Sequence, residues 1–98
     1  MPEDNDSKAL RLAGAALFAM EVKIRNAGVM DRVAMREERD KLWGAYYTAR
    51  ETLIAQGVIV GDQELAELAE LTRELERAAD TNATAQTVLK LVGFLAGL

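Results

Sequence analysis

Glu67, Glu70 and Glu74 are three and four residues apart, so a helix would set their carboxylates along one face. Carboxylates gathered in this way can ligate a hard cation or exchange a proton with a substrate. Metal sites in helical bundles, however, project ligands inward from several helices and usually include His, and this chain has neither His nor Cys. That absence removes the commonest general base, the thiol nucleophiles and the usual transition-metal ligands. The three glutamates therefore read as a solvated helix face. The glycines of "GVIVGD" (57–62) are not followed by the Lys-Ser or Lys-Thr of a phosphate-binding loop. No dinucleotide fingerprint and no calcium-loop pattern occur either. We expect no catalytic residue, no metal, no cofactor and no enzymatic activity.

The side chains better suited to binding are aromatic. In "LWGAYYTAR" (42–50), Trp43 lies three and four residues before Tyr46 and Tyr47, so on a helix it can touch both. Such rings bury a large area while keeping a polar handle, which suits cores and contacts between proteins alike. Tyr46 falls on the apolar stripe of its helix and is expected inside. Trp43 or Tyr47 must then face further outward, and both are candidate contacts with another chain.

These residues need helices to position them. After Pro2 the chain has no further proline, and Ala, Leu, Glu, Arg and Met dominate it, an all-α composition. At 98 residues, half of them apolar, the sequence describes one helical domain over 1–98, with 1–6 as a flexible tail. From a first cap at Ser7, the residues Leu10, Ala13, Leu17, Met20, Ile24 and Ala27 draw an apolar stripe. Gly28 is placed to stop this helix in the left-handed conformation. A second helix is expected from Asp31 to Gln56, closed by Gly57, with a stripe of Met35, Leu42, Trp43, Tyr46, Ala49 and Leu53. Arg39 interrupts that stripe, so it either leaves the core or lays its stem across it. The β-branched "VIVG" (58–61) is too short for a sheet and reads as an apolar connector tucked against the bundle.

Asp62 is the expected cap of the last helix. Leu68, Leu75, Asn82, Leu89 and Ala96 recur every seven residues, as do Leu71, Ala78, Ala85 and Val92. This unbroken register predicts a small bundle of three long helices, the third running from Asp62 almost to the C-terminus. Such a helix would exceed about 50 Å. The alternative is a break near 80–84, because "DTNAT" gathers residues that compete with helical hydrogen bonding. Thr81 or Asn82 would then cap a fourth helix with Ala85, Val88, Leu89, Val92 and Leu95 on its face. In the unbroken reading Asn82 sits in a coiled-coil seam, where a lone Asn can fix register and partner number.

Charge is distributed unevenly within the formal net of −4. Residues 23–50 hold seven basic and four acidic residues, a surplus of three positive charges. Residues 51–80 hold two basic and eight acidic, a surplus of six negative charges. Opposite faces of this kind would attract within a chain or between copies. No dominant basic field exists for nucleic acid, because Glu37, Glu38 and Asp40 sit among the arginines. The acidic start lacks the basic region of a secretory signal, and the terminal "VLKLVGFLAGL" is too short to span a bilayer, which argues against membrane association.

Taken together, these features predict a small cytoplasmic interaction protein that forms a homodimer through its C-terminal helix. Its seam would comprise Leu68, Leu71, Leu75, Leu89, Val92 and Phe94, with Asn82 setting register. The alternative is a soluble antagonist or immunity-type inhibitor that docks a basic partner on its acidic helix, Glu64 to Asp80.

Overall fold

The computed structural model describes residues 4–57 and 59–98 and contains four α-helices. Helix α1 is Asn5–Asn26, α2 is Val29–Gln56, α3 is Asp62–Arg77 and α4 is Thr81–Ala96. The all-α reading holds, and the last helix is broken.

The break follows from local hydrogen bonding. Ala78 and Ala79 offer no side chain to hold the backbone, whereas Asp80 Oδ1 accepts the Ala83 N–H at 2.7 Å and so caps a new helix. The Ala78 N–H meanwhile closes α3 on the Leu75 carbonyl. The cap is Asp80 rather than Thr81 or Asn82.

Other boundaries shift for similar reasons. Asp4, not Ser7, caps α1: its Oδ1 accepts the Ser7 N–H at 2.8 Å. That backbone bond, with a further one from the Ser7 side chain, holds the Asp4 carboxyl below its ordinary value of 3.8. Residues 4–6, expected in a tail, instead cap and begin α1. Gly28 is extended rather than left-handed and serves as the N-cap of α2, which starts two residues before Asp31. Gly57 does take a positive φ of 79°, and its N–H closes α2 on the Leu53 carbonyl. Asp62 is the first residue of α3, behind an N-cap at Gly61 whose N–H donates to Glu64 Oε1.

Hydrogen bonds between distant parts of the chain give the topology. Asn5 Nδ2 donates to the Val60 carbonyl and to Asp62, the Thr72 hydroxyl to the Leu12 carbonyl, and Lys23 Nζ to the Ala78 carbonyl. Ascending numbers in α1 thus meet ascending numbers in α3, so these helices run parallel. Helix α1 packs on α2 and α3, α4 packs on α2 and α3, and the diagonal pairs α1/α4 and α2/α3 do not approach. The molecule is two helical hairpins side by side, joined by a connector (57–61) that crosses from α2 to the diagonal α3. Asp6, itself buried, latches this connector by accepting the N–H groups of Ile59 and Val60 at 3.0 and 3.2 Å. Val60 is buried, as expected of the connector; Val58 lies outside the described residues.

Met20, Leu42, Leu68, Leu75, Val88 and Leu91 are the largest apolar side chains wholly inside the core. Ala9, Ala13 and Ala16 line the inner face of α1, where their small size permits close packing of its neighbours. Buried Thr72, Thr84 and Thr87 satisfy their hydroxyls on carbonyls four residues back, so they enter the core without stranded polar groups. No helix among the described residues is long and apolar enough to cross a membrane.

Candidate interaction surface

The seam expected along the C-terminal helix is largely internal. Leu68 and Leu75 are wholly buried in this chain's own core, Leu71, Val92 and Phe94 are half-buried against it, and only Leu89 stands in solvent, 73% exposed. The seven-residue register fails because the three-residue turn 78–80 rotates α4 relative to α3. Leu91 takes the inward place that the register gave to Leu89. Asn82 is exposed in the first turn of α4 and sits in no coiled-coil seam.

Two of the three glutamates are engaged in ion pairs. Glu70 pairs with Arg73 and Arg77 at 3.6 and 3.1 Å, and Glu74 pairs with Lys90 at 2.9 Å. No group of three metal-ligating side chains converges among the described residues. Helix α3 holds six acidic and two basic residues, an excess of four negative charges that equals the net charge of the whole chain. Helix α2, by contrast, is neutral, with five of each sign. The basic surplus of 23–50 came from counting Lys23 and Arg25, which belong to α1, and from stopping short of Glu51. Arg39 lies across the α1–α2 contact, paired with Glu21 and Asp40 at 3.3 Å.

The aromatic cluster forms as expected and is only partly spent on the core. The Trp43 and Tyr47 rings stack with centroids 5.2 Å apart, and Tyr46 meets each ring edge-on at 5.8 Å. Tyr46, expected inside, is half-buried, as is Trp43, while Tyr47 is 52% exposed.

The structure also shows apolar exposure that the core stripes concealed. Phe18 and Val22 of α1, and Val29, Met30, Val33, Tyr47 and Ile54 of α2, all stand in solvent, whereas α3 exposes no large apolar side chain and α4 only Leu89. On α2 most of these residues align. Val29, Val33, Arg36, Asp40, Trp43, Tyr47, Arg50 and Ile54 alternate spacings of four and three over the whole helix, and all but Trp43 are exposed. This second stripe lies away from the core stripe of Met35, Leu42, Ala49 and Leu53. Its period is present in the sequence, and Trp43 belongs to it rather than to the inward stripe on which the sequence reading places it. Separately, a groove of about 970 Å³ opens between α1 and the α3–α4 turn, walled by Phe18, Val22, Ala78 and Ala79.

Comparison with known proteins returns no family model, no curated protein and no solved structure that matches the chain.

Proposed function

We propose that this chain is a small, non-enzymatic, cytoplasmic interaction protein that engages another protein chain through the outward face of its α1–α2 hairpin. One observation carries the reading: seven large apolar side chains stand in solvent on that hairpin, while the other hairpin exposes one. Scattered apolar residues are normal on a surface, but Val29, Val33, Trp43, Tyr47 and Ile54 recur at helical spacing along α2, with Arg36, Asp40 and Arg50 between them, and mark a contact face. The contact moves from the C-terminal helix to α2 because Leu68 and Leu75 are needed inside. The absence of Cys fits a reducing compartment.

The test compares the tagged wild-type chain with the double variant Val33→Glu/Ile54→Glu, in pure form and in an extract of producing cells. The expected result is a defined complex, with itself or another protein, that the double variant loses while its thermal melt stays within a few degrees. A chain that runs alone under both conditions would remove the reading.

A second reading draws on α3, whose excess negative charge is not offset by the neutral, diagonal α2. A basic partner could dock there, as an antagonist's target would. Binding that needs Glu67 and Glu76, but neither Val33 nor Ile54, would select it.

A further inference from the structure

We infer that the partner of the α2 face is a second copy of this chain, with the two α2 helices packed antiparallel about a twofold axis near residues 41 and 42. The inference rests on the reading of α2 as the contact face and names its occupant.

The stripe is self-complementary when reversed. An antiparallel copy centred between residues 41 and 42 sets Val29 opposite Ile54, Val33 opposite Arg50, Arg36 opposite Tyr47 and Asp40 opposite Trp43. Every stripe position therefore meets another stripe position, in the four-three alternation that lets facing helices interdigitate. A twofold contact must pair one patch with itself, and this patch meets that condition. The apolar ends meet apolar ends, because the exposed Val29 and Ile54 cover each other. Toward the centre Arg36 lies over Tyr47, a pairing of guanidinium with aromatic ring.

Charge is balanced in the same alignment. Across the axis Arg36 comes within about one turn of Glu51, and Arg50 within about one turn of Glu37. Each cation in the stripe thus gains a carboxylate from the other copy that offsets the like charge, Arg36 beside Arg50, at a similar distance. Helix α2 is neutral overall, so two copies meet without net repulsion. The acidic α3 helices, diagonal to α2 in each copy, stay away from the contact. A parallel pairing would instead set each like charge directly opposite itself, Arg36 on Arg36, Asp40 on Asp40 and Arg50 on Arg50, whereas the antiparallel one keeps the two Asp40, and Arg36 and Arg50, about one turn apart.

The test has two arms, both on the full chain. Sedimentation over a thousandfold concentration range should show the mass rising from 10.7 kDa to twice that value. The variant Val33→Glu/Ile54→Glu should stay monomeric at concentrations at least tenfold higher than the wild-type midpoint. The second arm uses the absence of native cysteine. Asp40→Cys should cross-link to its own copy under mild oxidation, because the two positions lie about one turn apart across the axis. Val29→Cys should not, since its two copies would be about 37 Å apart along the helices, yet it should cross-link with Ile54→Cys when the two proteins are mixed. A monomer at every concentration, a dimer untouched by the double variant, or self-linking of Val29→Cys as fast as Asp40→Cys would each overturn the inference. Were the chain monomeric alone but bound to a different protein through Val33 and Ile54, the antiparallel dimer would fall while the contact face stood. No complex of either kind would remove both.

Discussion

Asp6 shows how one side chain can settle a connection. Its Oδ1 accepts two successive backbone N–H groups of the connector from a buried position in the first turn of α1. Removing it would leave the buried Val60 N–H and the part-buried Ile59 N–H without this acceptor. We expect Asp6→Ala to cost about 2 to 3 kcal/mol in urea unfolding, in line with hydrogen bonds to a charged group, and Asp6→Asn to cost less because its carbonyl can still accept. A loss below about 0.5 kcal/mol for the alanine variant would mean that the connector holds without the latch. Neighbouring Asp4 contributes a pH dependence of defined sign. Its folded carboxyl titrates below 3.8, so the cap is fully effective above that value and fades as the pH falls through the lower folded value. Melting curves at pH 5 and below pH 3 should therefore converge partly in Asp4→Asn, which carries no titrating cap. Neither role was legible in the sequence, where 1–6 is simply an acidic stretch before the first apolar residue.

Elements were easier to read than their ends. Composition and apolar spacing give helices in the right places, and Gly57 stops α2 where its φ of 79° requires glycine. What failed was the register across 78–80. A seven-residue repeat reports which residues could share a face if the helix continued, and the turn at Ala78 and Ala79 happens to preserve the count while rotating the face. The core of α4 is also hard to see because Thr84 and Thr87 supply part of it, having hidden their hydroxyls on the helix backbone. Two substitutions on α4 separate the readings. Leu91→Ala should cost about 2 to 5 kcal/mol as a cavity in the core, and Leu89→Ala under about 0.5 kcal/mol. The reverse order in chemical denaturation would restore the continuous heptad. Asp80→Ala should cost about 1 kcal/mol through the lost cap, whereas Asn82→Leu should leave stability and mass little changed.

At the scale of the molecule, the diagonal placement of α2 and α3 separates two kinds of surface. The neutral α2 carries the outward stripe of apolar and charged side chains along a molecule 42 Å long, and α3 carries a negative charge equal to the chain's net. Had these helices been neighbours, each would have covered part of the other. Because they are not, apolar association and charge-driven docking are physically separable, and salt distinguishes them. Exposed charges are screened within about 8 Å at physiological ionic strength, while apolar burial strengthens slightly as salt rises. The α2 contact draws mainly on Val29, Val33, Trp43, Tyr47 and Ile54, and its cross-copy ion pairs are each worth only about 0.2 to 1 kcal/mol. We therefore expect the dimer midpoint to move less than about fivefold between 50 and 500 mM sodium chloride in sedimentation runs, a change of roughly 1 kcal/mol. A basic partner held on α3 would behave differently, with its association weakening by about tenfold or more over that interval as the attraction is screened. Should the wild-type dimer itself dissolve tenfold more readily in high salt, the attraction between copies would be electrostatic, and α3 would have to be part of it.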